Sequence, residues 1–440
     1  ASRSFSITVQ NDAPSNHFNT VLYTGNDVSH AITGVGFEPG LVWIKRRNTS
    51  EDHALYDIAR GINKQLSTNL TTGEATNTSP YEGFTSFDTD GFTLNNNGAT
   101  NRAPNTYVAW NFKAGGTAVA NTDGTINSQV SANNSLGFSI VSYSGNSTSG
   151  ATVGHGLNSA PEMVIYKRTD VAANWIIKSS ILGVDNYLTF TSDQSYSDSG
   201  VFWNSTLPNS SVFTLGSSAS VNVGNYIAYN FTSKPGFSKV GSYTGSGTVT
   251  NFITTGFEPA FIMFKNTTAG NSWVILDNKR SPANTRDEAL FPNASDAEYD
   301  FGNSGVNFLT NGFSLTNGTG ETNASGYVYI YLAIAADGST ATPSLANSFA
   351  TEIYSGNNSS QSVTTGFKPD FSWLKSRTGS LDHNLIDSVR GNYFLNTNRT
   401  SIQEAGYNGV VFNNNGFTVA AVGGTTSGEI NVSGQNYVAW

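Results

Sequence analysis

The chain repeats itself four times, and this internal repeat limits its possible folds more than any other feature of its 440 residues. Each copy opens on a run ending in Tyr-Ser-Gly or Tyr-Thr-Gly and closes on Tyr-Val/Ile-Ala-Trp/Tyr or a variant. Opening and closing tyrosines lie 83 or 84 residues apart, whereas the intervals between copies vary from 17 to 36 residues. Constant spacing within a unit and variable spacing between units predict folded domains joined by connectors. The tyrosine pairs are Tyr23 and Tyr107, Tyr143 and Tyr226, Tyr243 and Tyr327, and Tyr354 and Tyr437.

The runs inside each copy have the composition of β-strands. They are short, rich in aromatic and β-branched residues, and bounded by Gly, Asn, Asp or Pro, and no window of 12 residues shows sustained helical periodicity. Hairpin turns with Asp-Gly or Asn-Gly recur late in the copies, as in Phe87 to Phe92. We therefore predict an all-β protein of four tandem antiparallel β-sandwich domains, jelly-roll-like, joined by short linkers.

The repeat also sets the expected boundaries. We expect an N-terminal strand and connector at 1–17, sandwiches at 18–116, 137–234, 235–335 and 349–440, and linkers at 117–136 and 336–348, where Gly, Ala, Asn, Thr and Ser dominate. Because the sequence stops within the fourth closing strand, at Trp440, we expect the natural polypeptide to continue beyond it.

A Gly-Phe-x-Pro turn precedes a strongly apolar strand in copies one, three and four, and copy two has a weaker version. Proline fits the start of a strand but not its interior, so the apolar run begins after it. The alignment predicts one equivalent position for Trp43, Met163, Met263 and Trp373.

Composition excludes several classes of function. The net charge is −9, from 22 basic and 31 acidic residues, which argues against binding to nucleic acid through clustered Lys and Arg. The chain has no Cys, which excludes disulfides, thiolate catalysis and Cys-ligated zinc. No window approaches 18 consecutive apolar residues, so we predict no membrane insertion.

The most prominent chemical motif is Asp-His-x-Leu-x-Asp-x-x-Arg-Gly, at 52–61 and again at 382–391. An adjacent Asp and His could act as a general acid/base pair. Copy three, however, has Trp273 in place of the His, and copy two has Trp175 and no equivalent acid. A strand position that faces neighbouring side chains explains this exchange better. We interpret the later Asp and Arg as an ion pair that fixes a turn: Asp57 and Arg60, Asp277 and Arg280, Asp387 and Arg390.

Other candidate sites are weaker. Asp88 and Asp90 resemble the start of a calcium loop, but the other copies lack these carboxylates, and a hairpin turn explains them better. His155 has no partner at ligand spacing. We therefore predict no catalytic residue, cofactor or metal. We assign structural roles to Trp43, Trp110 and Trp373, to the paired tyrosines and to the three Asp–Arg pairs.

The linked motifs GFEPGLVWIK, DHALYDIARG, FDTDGF and YVAWNFKAGG give the chain a family resemblance. Together they resemble a repeated module of unassigned function found in structural and tail-fibre-like proteins of marine bacteriophages. The resemblance covers roughly residues 18–440. It implies a non-enzymatic structural protein (a fibre, appendage or decoration protein) at the virion surface or outside the cell. The implied partners are other virion proteins, further copies of the chain, in threes for a fibre, and a host surface glycan.

Two alternatives remain open at this point. One is a lectin-like adhesin, in which an exposed aromatic side chain such as Trp203 stacks on a sugar. The other is a polysaccharide-degrading tailspike, because a pair of catalytic carboxylates is arranged by the fold and leaves no sequence motif.

Overall fold

The computed structural model describes residues 13–77, 83–190, 197–198, 200–249, 251–316, 319–337, 349–391, 393–405, 409–413, 415–421 and 430–440. The all-β prediction is confirmed, with antiparallel sheets throughout these residues. Helical structure in the described part of the chain is limited to 3₁₀ turns at Pro14–Asn16, Ser180–Leu182 and Gly302–Ser304. Strand content of this kind follows from short aromatic and β-branched runs between turn-forming residues.

Repeat 1 is a sandwich of two sheets. Its main sheet has the order β1-β9-β3-β4 and its small sheet the order β2-β8-β7, with a separate β5-β6 pair. Its strands are β1 Phe18–Thr24, β2 His30–Ile32, β3 Leu41–Arg46, β4 Ala54–Asp57, β5 Lys64–Gln65, β6 Ala75–Thr76, β7 Phe84–Asp88, β8 Gly91–Leu94 and β9 Thr106–Phe112.

Repeat 2 has a larger main sheet, in the order β10-β11-β12-β19-β14-β15-β16-β17, over a small β13-β18 pair. Its strands are β10 Val119–Asn121, β11 Ser128–Asn133, β12 Phe138–Asn146, β13 Thr152–Gly154, β14 Met163–Arg168, β15 Ile176–Ser179, β16 Asn186–Thr189, β17 Ser197–Asp198, β18 Val212–Thr214 and β19 Val223–Phe231.

Repeat 3 returns to the plan of repeat 1, with a main sheet β20-β28-β22-β23, a small sheet β21-β27-β26 and a β24-β25 pair. Its strands are β20 Ser238–Thr244, β21 Asn251–Thr254, β22 Pro259–Asn266, β23 Val274–Asp277, β24 Glu288–Ala289, β25 Tyr299–Asp300, β26 Val306–Leu309, β27 Gly312–Leu315 and β28 Val328–Ala335.

Repeat 4 has a main sheet β29-β37-β31-β32-β33-β34 and a small sheet β30-β36-β35. Its strands are β29 Glu352–Ser355, β30 Gln361–Thr364, β31 Phe371–Ser376, β32 Asn384–Asp387, β33 Tyr393–Leu395, β34 Glu404–Ala405, β35 Val410–Asn413, β36 Gly416–Val419 and β37 Asn436–Ala439.

The central strands of the main sheets of repeats 1 to 3 are buried on both faces. In β3, Val42 and Ile44 face the small sheet of repeat 1, whereas Leu41 and Trp43 point the other way. This alternation is the two-residue period of a strand, and an apolar run without polar interruption is typical of a strand buried on both sides. We call the second face the junction face; in repeat 1 it carries Leu41, Trp43, Leu55, Val108 and Trp110.

The junction faces of repeats 1, 2 and 3 meet in one hydrophobic core. Trp110, Trp175 and Trp273 belong to the same cluster of buried side chains although they come from three different repeats. The chain accordingly divides into two compact units, residues 1–341 and 342–440. We call the first the three-repeat body. The prediction of four domains in series was wrong for the first three, because their apolar junction faces exclude water by packing together.

The predicted linker at 117–136 was also wrong. Strands β10 and β11 lie in it and extend the main sheet of repeat 2, where Val130 pairs with Val141. Four of the six residues of β11 are buried although the segment is rich in Ser and Asn. Most of the expected N-terminal strand and connector at 1–17 and most of the expected linker at 336–348 lie outside the described residues.

Candidate functional site: the junction between repeats

The anchor tyrosines form stacked pairs that join the opening and closing strands. Ring centroids are 5.1 Å apart for Tyr23 and Tyr107, and each opening tyrosine donates its hydroxyl to a backbone carbonyl at 2.6–2.7 Å. Burial raises the pKa of the Tyr23 hydroxyl well above its ordinary value, so it remains a donor. The other stacked pairs are Tyr143 with Tyr226, Tyr243 with Tyr329, and Tyr354 with Tyr437.

The assignment of Tyr327 as the closing anchor of repeat 3 was wrong. Strand pairing places Tyr329 opposite Tyr243, and Tyr327 lies two residues earlier, partly buried against the sandwich core. Tyr327, Tyr329 and Tyr331 alternate along the strand, so the sequence pattern alone could not fix the register.

The Asp–Arg motif forms the same turn in repeats 1, 3 and 4. In repeat 3, Asp277 Oδ1 accepts the backbone N–H groups of Lys279 and Arg280 at 3.0 and 2.9 Å, and its Oδ2 lies 2.6 Å from Arg280 Nε. The corresponding Nε–Oδ2 distances are 2.6 Å for the pair in repeat 1 and 2.5 Å for Asp387 and Arg390. These carboxylates hold the turn after the second strand of the hairpin.

The carboxylates of the three-repeat body also bind a neighbouring repeat. Trp110 Nε1 of repeat 1 donates to Asp277 Oδ2 of repeat 3 at 2.9 Å, and the Tyr229 hydroxyl of repeat 2 donates to Asp57 Oδ2 of repeat 1 at 2.8 Å. At the equivalent positions repeat 3 has Leu332 instead of a donor, and repeat 2 has Ser179 instead of the carboxylate. The junction between repeats 3 and 2 therefore lacks both the donor and the acceptor of this hydrogen bond.

A second set of bonds passes around all three repeats in the same direction. Side chains at one equivalent position each donate an N–H to a backbone carbonyl of another repeat. The acceptor residues are also equivalent, because each follows a core leucine that pairs with the second strand of the hairpin: Leu66, Leu188 and Leu290. The bonds are His53 Nε2 to Phe291 O (2.9 Å), Trp175 Nε1 to Ser67 O (2.9 Å) and Trp273 Nε1 to Thr189 O (2.8 Å). They run from repeat 1 to 3, from 2 to 1 and from 3 to 2, which closes a ring with threefold pseudosymmetry.

His53 is held as a neutral imidazole in this ring. Its Nδ1 accepts the Trp43 indole N–H at 2.9 Å, so the proton of the neutral ring lies on Nε2. Burial, with the charge of Lys45 as a smaller cause, lowers the pKa of His53 well below its ordinary value. Asp52 accepts a hydrogen bond from the Asn69 side-chain amide at 2.6 Å. Asp52 and His53 therefore bond to different partners, and each has a structural role.

A buried lysine marks the polar edge of two junctions. Lys45 Nζ donates to Ser295 O of repeat 3 at 3.2 Å, and Lys167 Nζ donates to Thr71 O of repeat 1 at 2.9 Å. Burial lowers the pKa of each of these lysines to about 8. Backbone bonds lie beside them, from Glu51 N to Ser295 O and from Ala173 N to Thr71 O.

The predicted tryptophans occupy two kinds of position. Trp43 and Trp373 lie on junction faces, opposite Trp110 and Trp440, respectively. Strand pairing shows that the equivalent residue of repeat 2 is Ile165 and that the alignment on Met163 was off by two residues. Sequence reasoning missed Tyr229 and the cross-repeat bonds of His53; the exchange of His for Trp, each with a ring N–H, was the available signal.

Trp203 does not lie at the surface, and its assignment as a glycan contact was wrong. Its side chain is fully buried, its indole N–H donates to the Tyr166 hydroxyl at 2.8 Å, and the Lys178 ammonium lies 4.8 Å from its ring centroid. An aromatic side chain this large is favoured in the sandwich core because it buries much apolar area and still finds a partner for its N–H.

The other candidate residues also make structural contacts. Asp90 accepts the backbone N–H groups of Gly34 and Gly36 at 3.1 and 2.6 Å, and these bonds lower the pKa of its carboxyl. His155 donates to Asn209 O at 3.0 Å and accepts the Leu157 N–H. Within the described ranges, no group of three His, Asp or Glu side chains could hold a metal ion.

Comparison with known proteins gives one result. The chain matches a family described as a domain of unknown function, DUF7483, over residues 13–337 and 344–440. No curated protein and no solved structure matches it. The described residues include no helix that is long and apolar enough to cross a membrane.

Proposed function

The chain belongs to the DUF7483 family, and we propose that it is a non-enzymatic structural protein of a bacteriophage virion, serving as a fibre, appendage or decoration protein. The observation that carries the proposal is the use of its reactive side chains. In the three-repeat body, His53 of the Asp–His motif and the turn carboxylates Asp57 and Asp277 each make a hydrogen bond to a neighbouring repeat.

The construction of the three-repeat body supports an architectural role. Three repeats share one core and are linked by hydrogen bonds that run in one direction around it. The interior space at the meeting point of the junction faces is only about 20 Å³ and is lined by apolar side chains. Ligand pockets have volumes of roughly 300–1,000 Å³, so the shared core itself is packed and does not hold a ligand.

The virion location rests on the motif resemblance to modules of marine bacteriophage structural proteins. On this proposal the protein lies at the particle surface, its partners are other virion proteins, and a host glycan is a further ligand. The uncharged polar surface, with charged residues at only 12% of the chain, suits both contacts.

The proposal is tested on phage particles purified from an infected host. Mass spectrometry should find the protein in particles banded in a density gradient, and gold-labelled antibody should mark one defined part of the particle. A non-structural protein of the same phage serves as the control for contamination. Presence in the infected lysate together with absence from banded particles would contradict the proposal.

A further inference from the structure

The junction face of repeat 4 is exposed, although the same face is buried in the other three repeats. Trp373 and Leu395 are 36% and 38% exposed, whereas their equivalents Trp43 and Leu66 are 5% and 1% exposed. Contiguous apolar surface of this kind marks an interaction site.

The polar groups of the junction are also present in repeat 4. His383 occupies the position of His53, and its Nδ1 likewise accepts the indole N–H of a tryptophan, Trp373, at 3.0 Å. Among the described residues, Nε2 of His383 has no hydrogen-bond partner, whereas Nε2 of His53 donates across the junction. Asn396 follows Leu395 and corresponds to the carbonyl acceptors Ser67, Thr189 and Phe291.

Repeat 4 also carries equivalents of both the tryptophan donor and the aspartate acceptor of the bond between Trp110 and Asp277. Trp440 corresponds to the donor Trp110, and Asp387 corresponds to the acceptor Asp277. In the three-repeat body the two halves of each such bond lie on different repeats. A face that carries a donor on one side and its acceptor on the other is complementary to a second copy of itself, rotated about an axis.

We propose that the junction face of repeat 4 joins three copies of this chain into a trimer, with the three fourth repeats arranged around an axis as repeats 1, 2 and 3 are in the body. We expect three copies because the equivalent faces of repeats 1, 2 and 3 close a ring with threefold pseudosymmetry in the body. In the trimer, His383 Nε2 donates to Asn396 O of the next copy and Trp440 Nε1 donates to its Asp387. Phe371, Trp373 and Leu395 form the apolar core.

This inference goes beyond the proposed function, because a purified chain should form the trimer whether or not the protein occurs in virions. The experiment is the mass of the 440-residue chain in solution, from sedimentation equilibrium across a dilution series. We expect about 140 kDa, three times the mass of the 46.7 kDa chain. A chain that remains at 46.7 kDa, or that forms a species of another stoichiometry, would overturn the proposal.

Two substitutions on the face and one beside it locate the interface. Phe371→Glu and Trp373→Glu should each reduce the mass to that of a single chain. Ile353→Glu is the matched control: Ile353 is an exposed apolar residue of the same sheet, and its equivalent Leu22 remains 41% exposed in the body. It should leave the trimer intact. A trimer that survives both face substitutions would place the contact elsewhere and overturn the proposal.

Hydrogen exchange of the unaltered chain gives a readout that does not depend on the folding of variants. Glu74 N and Glu298 N donate to backbone carbonyls of a neighbouring repeat in the body, and Gln403 occupies their position in repeat 4. The amide of Gln403 should therefore exchange slowly in the trimer and faster on dilution. Equal exchange at every concentration would contradict this arrangement.

Discussion

At the scale of single residues, the junction depends on carboxylates that each serve two purposes. Asp277 receives four hydrogen bonds, from Arg280 Nε, from Trp110 Nε1 and from the backbone N–H groups of Lys279 and Arg280. Burial alone raises the pKa of this carboxyl, but the Arg280 guanidinium and these donors lower it below its ordinary value. The ionised carboxylate of Asp277 is thus more stable in the folded state than in the unfolded chain.

Removal of this carboxylate should be costly. Asp277→Ala leaves the Arg280 guanidinium buried without its counterion and the Trp110 N–H without an acceptor, so we expect a loss of about 3–5 kcal/mol in the free energy of unfolding. Asp170→Ala is the control, because Asp170 pairs with Arg168 at the surface and its loss should cost about 0–1 kcal/mol. Urea denaturation measures both; equal losses would show that the junction bond adds nothing.

His53 should make the three-repeat body sensitive to acid. Its pKa in the folded state lies well below 6.5, because burial and nearby Lys45 disfavour the charged ring, so the unfolded chain binds more protons as the pH falls below about 6.5. The free energy of unfolding should therefore fall with decreasing pH from that point. His53→Gln should reduce this slope by up to about 1.4 kcal/mol per pH unit. Denaturation at a series of pH values measures the slope, and an unchanged slope would contradict the assignment.

At the scale of strands, most of the architecture could be predicted from the sequence. Short aromatic runs and Asp-Gly or Asn-Gly hairpins predicted the sandwiches, and the three-residue spacing of Asp57 and Arg60 predicted their turn. The register of a strand with alternating tyrosines could not be read, hence the error at Tyr327. Strands β10 and β11 were missed because Ser and Asn dominate a segment whose few apolar residues, such as Val130, alternate into the core.

At the scale of the whole molecule, the shared core could not be predicted. A strand buried on both sides reads as a continuous apolar run, but the run does not say what covers the second face. The partners that form the junction lie far apart in the sequence, as His53 and Phe291 do, and no local pattern connects them. The same physical rule, that an apolar junction face must be covered, explains both the body and the exposed face of repeat 4.

The central claim is that three repeats behave as one folded body. Native-state hydrogen exchange in increasing denaturant tests it most directly, with amides of β3, β14 and β22 reporting on repeats 1, 2 and 3. The account predicts one common free energy of opening for all three strands. Trp273→Ala in repeat 3 should lower that value by about 3–5 kcal/mol in all of them, through a cavity in the shared core. A loss confined to β22, with β3 and β14 unchanged, would contradict the claim.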